Sequence, residues 1–147
     1  MRVADLMTGT LVTVGHDATV AEAWRIMLAR QVRHLPVLDA DRRLIGIVTD
    51  HDLRLVILER CLDEGAGRVA RALGRLRVNE IMTWAVITVG ADAEIRDAAR
   101  VMHDRKLGAL PVVDDGRVVG ILTATDVIRA VVGEAERQRT NTPREES

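Results

Sequence analysis

Apolar and polar positions follow a pattern along this chain that occurs twice. Short β-branched runs predict strands, and stretches with apolar residues three and four positions apart predict amphipathic helices. Each occurrence has the order strand, helix, strand, strand, helix, so the predicted fold class is mixed α/β (α+β). In the first occurrence, strands are predicted at 11–14, 34–38 and 44–49, with helices beginning at Thr19 and near Asp52.

The second occurrence repeats the first with a nearly constant offset. Met7 and Met82 lie 75 positions apart, and Pro36 and Pro111 keep the same offset. The offset then falls to 74, because the turn between the two later strands is one residue shorter in the second copy. In this copy, strands are predicted at 109–113 and 118–123, after a helix capped by Asp92.

Each predicted helix is expected to bury one apolar stripe. Thr19 and Glu22 form a capping-box signature at the first helix. Its stripe consists of Val20, Ala23, Trp24, Met27 and Leu28. The later helix of each copy carries Leu53, Val56 and Ile57, or Val127, Ala130 and Val131, on one face. Cys61 is interpreted as a packing residue.

The two repeats divide the chain into four segments. A stretch with three glycines among arginine and alanine separates the copies and is interpreted as a linker compatible with some helix. From about Glu136 the sequence is polar and poor in apolar residues, which predicts a disordered tail. The predicted segments are 1–62 for the first repeat, 63–77 for the linker, 78–133 for the second repeat and 134–147 for the tail.

One eight-residue stretch carries polar chemistry in both repeats. It runs from Gly46 to Leu53 and returns from Gly120 to Val127, each time placing an aspartate three residues after a threonine. The first N–H groups of a helix lack intrahelical partners, so these side chains suit helix caps. The same hydroxyl, carboxylate and free amides also suit a ligand pocket at the carboxyl end of a strand. Capping explains each copy by itself, whereas the repetition favours a site.

Composition argues against several classes of partner. The 147-residue chain has 21 basic and 22 acidic side chains and a formal net charge of −1, without the basic footprint of a nucleic-acid-binding protein. It has two tryptophans and no phenylalanine or tyrosine, so base-stacking platforms are not expected. Its single cysteine cannot form an internal disulfide, and no signal pattern or apolar run of about 20 residues is present. We therefore expect a cytoplasmic protein without nucleic-acid or membrane partners.

The doubled pattern resembles a tandem pair of cystathionine-β-synthase (CBS) domains, known as a Bateman module. The resemblance rests on a Met-Thr opening, a Leu-Pro-Val strand and a closing Gly-x-x-Thr-x-x-Asp, each present twice in the same order over residues 1 to about 133. The family implies two intertwined β-α-β-β-α repeats related by a pseudo-twofold axis. Its clefts commonly hold adenosyl compounds, which makes AMP, ADP, ATP and S-adenosylmethionine the candidate ligands, with no cofactor required.

The resemblance also implies roles for residues of each repeat. Asp52 and Asp126 would accept hydrogen bonds from ribose hydroxyls, with a threonine hydroxyl beside the sugar or phosphate. Ile47 and Ile121 match positions that pack on adenine, and backbone groups of the Leu-Pro segments would contact its edge. The expected ligand-binding residues are Arg33, His34, Leu35, Pro36, Ile47, Thr49 and Asp52 in the first repeat, and Ala109, Leu110, Pro111, Ile121, Thr123 and Asp126 in the second. No catalytic or metal-binding residue is predicted.

The repeats differ where the family often places basic residues against phosphate. The first repeat has Arg33 and His34 there, whereas the second has Gly108 and Ala109, with Arg105 and Lys106 slightly upstream. Arginine forms bidentate, charge-assisted bonds to phosphate oxygens, so two equal phosphate sites are not expected. The alternative is that Arg33 is a solvated strand-edge charge and His34 a half-buried side chain with an ordinary hydrogen bond.

Three classes of function are compatible with these features. The leading hypothesis is a stand-alone regulatory module that binds an adenosyl ligand and signals through a protein partner or its own assembly. A ligand-free structural or oligomerisation module is the alternative. An enzyme would need a nucleophile, a base and stabilising donors in one pocket, and no such set is recognisable. Leu55 and Leu58 lie off the predicted core face of their helix, which together with the resemblance predicts a homodimer.

Overall fold

Strands and helices follow the predicted order within each repeat, but the predicted first strand, 11–14, is shorter and lies at Val14–Gly15. The structure, a computed structural model, describes residues 1–84 and 86–140. Its first half contains α1 Val3–Leu6, β1 Val14–Gly15, α2 Val20–Arg30, β2 His34–Leu38, β3 Leu44–Thr49, α3 Asp50–Glu64 and α4 Ala66–Leu73. There follow a 3-10 turn Val78–Glu80, β4 Thr83–Trp84, β5 Val89–Gly90, α5 Ile95–Arg105, β6 Ala109–Asp114, β7 Arg117–Thr123 and α6 Ala124–Thr140. The mixed α/β class is confirmed.

The chain forms two compact units, each built from segments that are not contiguous in sequence. We name them by the repeat that contributes most residues. The repeat-1 unit contains Thr10–Ile87 and Asp115–Val118, and the repeat-2 unit contains Met1–Gly9, Thr88–Asp114 and the chain from Val119 onward. The opening segment of each repeat therefore belongs to the unit of the other repeat.

Matching hydrogen bonds hold these exchanged segments in place. In the repeat-1 unit, Arg77 Nη1 donates to the carbonyl oxygen of Asp17 at 2.8 Å. In the repeat-2 unit, Arg2 Nη1 donates to the carbonyl oxygen of Asp92 at 2.7 Å. The two arginines lie 75 positions apart in the sequence, and so do the two aspartates. The exchange is therefore reciprocal and uses the same contacts in both units.

The exchanged segments also extend the sheets. In the repeat-1 unit the strand order is β1-β2-β3-β4, with β1 parallel to β2 and the other pairs antiparallel. In the repeat-2 unit the order is β5-β6-β7, and Thr8 forms an antiparallel bridge with Ile121. A β-carbon on Gly46 would lie 2.9 Å from the Thr83 carbonyl oxygen, and one on Gly120 would lie 2.9 Å from that of Thr8. Both recurring stretches thus begin with glycine because an exchanged segment approaches the strand closely.

The core of the repeat-1 unit is aliphatic, as the composition predicts. It contains Val14, Val20, Ala23, Met27, Leu35, Val37, Val48, Leu53, Val78 and Met82, with Trp24 packed against it. The prediction that a side chain packs in the core is wrong for three residues. Leu28 is 61% exposed, because it lies roughly 100° around α2 from Met27. Val131 is 60% exposed on α6, which buries none of its residues, and Cys61 is exposed on α3.

Two predicted helix boundaries also require correction. The predicted tail is helical as far as Thr140, since α6 continues through residues that favour helices, and 141–147 lie outside the described residues. Asp92 does not cap α5. The N-cap is Glu94 without a side-chain cap bond, and the N–H of Ile95 donates to the Met1 carbonyl oxygen at 3.0 Å. The exchanged segment supplies the acceptor that the sequence assigned to a side chain.

A helix that spans a lipid bilayer needs about 20 consecutive, mostly apolar residues. Among residues 1–84 and 86–140, no helix is long and apolar enough to cross a bilayer.

Candidate functional site

The repeated threonine and aspartate form a reciprocal capping pair in both units. The Asp52 carboxylate accepts a hydrogen bond from the Thr49 N–H at 2.9 Å, and the Thr49 hydroxyl accepts one from the Asp52 N–H at 3.1 Å. Thr123 and Asp126 exchange the same two bonds at 2.9 and 3.2 Å. All four residues are half-buried. The capping interpretation is therefore confirmed for both copies.

Each aspartate keeps one carboxylate oxygen available. The bond from the threonine N–H uses Oδ2 of Asp52 and of Asp126. Within the described part of the chain, Oδ1 of either residue makes no hydrogen bond or ion pair. An ionised carboxylate offers about four acceptor positions over its two oxygens. One side chain can therefore cap the helix and accept a hydrogen bond from a ligand.

A backbone hydrogen bond ties the residue before β2 to the start of α3. The Asp50 N–H donates to the Arg33 carbonyl oxygen at 2.9 Å. His34 lies opposite Thr49 in the antiparallel pairing of β2 and β3. The candidate residues at this end of β2 therefore lie at one strand-to-helix junction.

Strand alternation sorts the first-repeat candidates by sheet face. His34 and Pro36 lie opposite Thr49 and Ile47, respectively, so these four residues share a face. Leu35 lies on the other face, where its side chain is fully buried in the core. It can offer only backbone groups to a ligand. Ile47 is half-buried and provides an apolar side chain on the shared face.

The second-repeat candidates follow the same alternation. Ala109 and Pro111 share one face of β6, and Leu110 is fully buried on the other. Ile121 and Thr123 are half-buried at alternate positions of the neighbouring strand, β7. The repeat-2 unit therefore has the same arrangement of residue types at its own strand end.

The pKa of His34 is lowered from its ordinary value of 6.5. Burial of the imidazole is the largest cause, and the positive charge of Arg33 acts in the same direction, whereas Asp50 and Asp52 oppose both. The neutral ring therefore prevails near pH 7. Arg33, whose side chain is exposed, then supplies a positive charge beside the neutral ring.

The corresponding strand end of the repeat-2 unit has glycine in place of the arginine. Gly108 occupies the position of Arg33, and its carbonyl oxygen accepts the N–H of Ala124 at 2.9 Å, as the Arg33 carbonyl accepts that of Asp50. Arg105 is exposed at the end of α5. The backbone junction is thus the same in both units, and the charge beside it differs.

Comparison with known families identifies this arrangement. A family model described as the CBS domain matches residues 3–59 and 78–133. The chain belongs to the CBS domain family. The two matched ranges contain both Thr-Asp junctions of this CBS protein.

Two solved structures are similar to this CBS protein over most of its length. The CBS domain pair of protein MJ0100, in complex with 5′-methylthioadenosine and S-adenosyl-L-methionine, is 30% identical with a TM-score of 0.75, covering 91% of this chain and 98% of that chain. CBSX2 in complex with AMP is 31% identical with a TM-score of 0.73, covering 91% and 98%. Both of those proteins hold compounds that contain an adenosyl group.

A curated relative of this CBS protein is much longer than the region of similarity. Homoserine O-acetyltransferase of Methanohalobium evestigatum is 33% identical over 130 residues, a match that covers 88% of this chain and 24% of that enzyme. The chain thus spans about a quarter of that relative's length. A match of this extent assigns no acetyltransferase activity to this CBS protein.

Proposed function

We propose that this chain is a regulatory module that binds an adenosyl compound at its Thr-Asp junctions. One observation carries the proposal. Each unit presents a hydroxyl and a carboxylate with a spare oxygen at the start of a helix, and two solved relatives of the chain hold adenosyl compounds. The candidate ligands are AMP, ADP, ATP and S-adenosylmethionine.

The proposed contacts follow from the chemistry of each side chain. Oδ1 of Asp52 or Asp126 accepts a hydrogen bond from a ribose hydroxyl, and the half-buried Ile47 or Ile121 packs on the purine. Backbone groups of the buried Leu-Pro segments contact the edge of the base. Arg33 adds a charge-assisted bond to a phosphate in the first repeat. Phosphate recognition is therefore unequal between the repeats.

Calorimetric titration of the full chain with AMP, adenosine and S-adenosylmethionine tests this proposal. Asp52→Asn retains an oxygen that can accept the Thr49 N–H, so the helix cap persists while the charge and one acceptor are lost. We expect weaker binding of all three compounds at one site, and Asp126→Asn should weaken the other. Asp97→Asn, in the first turn of α5, makes the same change elsewhere and should leave binding unchanged. Equal weakening by all three variants would count against the assignment.

A ligand-free structural module is the second candidate. The specific observation in its favour is that each Thr-Asp pair already satisfies the helix start through its own two hydrogen bonds. This function predicts no measurable heat with any of the four adenosyl compounds. The same titrations therefore decide between the two functions.

We infer that the regulatory output passes through assembly of the chain. Aliphatic side chains remain exposed on α3, where Leu58 is 57% and Leu62 79% exposed, and on α6, where Ile128 is 63% and Val132 50% exposed. Exposed aliphatic side chains grouped on one helix usually mark an interface. A closed homodimer would cover those of α3, those of α6 or both. A regulated protein partner, the cytoplasmic location and the repeat bounds 1–62 and 78–133 stay predictions.

A further inference from the structure

Four arginines line one cleft of the repeat-1 unit, outside the Thr-Asp junction. The cleft has a volume of about 560 Å³, with Arg60 of α3 on one side. Arg68 and Arg71 of α4 and Arg75 of the following turn line it as well. The helical turn continues past α4, because the Leu76 N–H donates to the Ala72 carbonyl oxygen at 2.9 Å. Spacings of three and four residues therefore place the three arginines on one face.

Packing of α4 explains why this face points outward. Val69 is buried, and Leu73 and Leu76 pack against the aliphatic core of the repeat-1 unit. These apolar side chains anchor the helix, and Arg68, Arg71 and Arg75 are exposed. The sequence pattern predicted a linker compatible with some helix here, and no binding site. The signal that could have identified the cluster is the helical spacing of its arginines, which lie three and seven positions after Arg68.

Three of the four arginines have no carboxylate partner among the described residues. The guanidinium groups of Arg68, Arg71 and Arg75 make no hydrogen bond or ion pair with any described residue. Glu80 is the acidic side chain lining the cleft, and its Oε2 accepts the Arg77 N–H at 2.7 Å. Because the whole chain has a formal net charge of −1, this positive charge is a local concentration and does not reflect the composition.

We propose that this arginine cleft binds a compact oligophosphate, a molecule with two or more linked phosphoryl groups, independently of the Thr-Asp junctions. Several guanidinium groups on one wall match several phosphoryl oxygens, which arginine binds in bidentate geometry. Ala72 and Leu76 are the apolar residues that line it, so the contacts that the cleft offers are mainly charged. Its volume lies within the range of about 300–1,000 Å³ that ligand pockets span.

Titration of the full chain with inorganic triphosphate at about 0.15 M salt tests this site without a nucleoside. We expect one triphosphate per arginine cleft in the wild-type chain. Arg71→Gln combined with Arg75→Gln should weaken binding roughly tenfold or more, because charge-assisted bonds are lost. The matched control is Arg96→Gln combined with Arg100→Gln, which removes two exposed arginines, also four positions apart, from α5. This control should bind triphosphate like the wild type.

Nucleotide titrations separate the arginine cleft from the adenosyl site. AMP has a single phosphoryl group, so the double variant Arg71→Gln, Arg75→Gln should bind AMP with unchanged affinity. If AMP does not bind at all, only the adenosyl proposal is contradicted. If the same two substitutions weaken ATP binding, the phosphate tail of a nucleotide is a source of the oligophosphate. If the affinity for ATP is unchanged, the inorganic form is indicated. No heat with triphosphate, or equal losses in the control pair, overturns the proposal. The proposal is also overturned if Arg33→Ala abolishes triphosphate binding while the double variant Arg71→Gln, Arg75→Gln retains it.

Discussion

The backbone N–H of Asp50 donates to the carbonyl oxygen of Arg33 at 2.9 Å, which joins the residue before β2 to the first turn of α3. The bond uses backbone atoms only, so it does not depend on the Arg33 side chain. That side chain is exposed, whereas Thr49 and Asp52 nearby are half-buried. The charge at this junction can therefore be changed while its backbone geometry is retained.

Arg33→Ala should weaken the binding of AMP and leave the affinity for adenosine unchanged. A charge-assisted hydrogen bond contributes about 1.5–3 kcal/mol, and the exposure of Arg33 favours the lower end, so we expect roughly a tenfold loss for AMP. Calorimetric titration of both ligands measures the difference. Arg30→Ala, which removes an exposed arginine from the end of α2, serves as the control. Equal losses for adenosine and AMP would show that Arg33 has a structural role instead.

Gly46→Ala should destabilise the fold, because the added β-carbon would lie 2.9 Å from the Thr83 carbonyl oxygen. The pairing of β3 with β4 must then shift, and such overpacking typically costs about 1–3 kcal/mol in the free energy of unfolding. Gly67→Ala is the matched control, because its β-carbon meets nothing within 4 Å in α4 and should stabilise the helix by about 0.5–1 kcal/mol. Urea denaturation measures both changes. Effects of the same sign would contradict the packing argument.

His34 should make the stability of the protein fall in mild acid. Its folded pKa is lowered below 6.5, chiefly by burial, so below that pH the unfolded chain binds more protons than the folded chain. The free energy of unfolding therefore decreases as the pH falls from 6.5 towards the folded pKa. Arg33, Asp50 and Asp52 are the charged groups that act on the ring. In His34→Gln, denaturation between about pH 7 and pH 5 should show a shallower decrease than in wild type. Identical slopes would refute this role for His34.

Sedimentation analysis should give a mass of twice the 16.2 kDa chain. Leu58→Lys in α3 and Ile128→Lys in α6 place a charge on the exposed aliphatic surfaces and should shift the mass to that of one chain. Leu28→Lys on α2 is the matched control, since Leu28 is 61% exposed and Ile128 is 63% exposed. A single-chain mass for the wild type at micromolar concentration would contradict the proposed homodimer. So would dissociation by Leu28→Lys alone.

Local signals in the sequence were sufficient to predict the strands and the helix cap around the site. The predicted strands 34–38 and 44–49 coincide with β2 and β3, and Thr19 and Glu22 exchange the two bonds of the predicted capping box, each at 3.1 Å. Such features depend on residues within a few positions of one another, so hydrophobic period and capping chemistry determine them. The pairing of Thr49 with Asp52 belongs to the same class.

Only the tertiary structure shows which unit the opening segment of each repeat joins. Residues 1–9 join the repeat-2 unit, and the segment containing Val78–Glu80 joins the repeat-1 unit. This exchange explains why Gly46 carries no side chain and why α5 needs no side-chain cap. A period of 75 residues is equally compatible with exchanged and unexchanged segments, because both place the same residue types in contact.

The sequence by itself thus determined the repeat, strands β2 and β3, the capping box of α2 and the polar residues at each strand-to-helix junction. The tertiary structure decided which apolar residues were covered, as Leu28 and Val131 show, and placed four arginines around one cleft. Periodicity identifies the side of a helix that is apolar, whereas burial depends on what packs against that side. Those partners come from distant parts of the chain, so only the folded structure determines them.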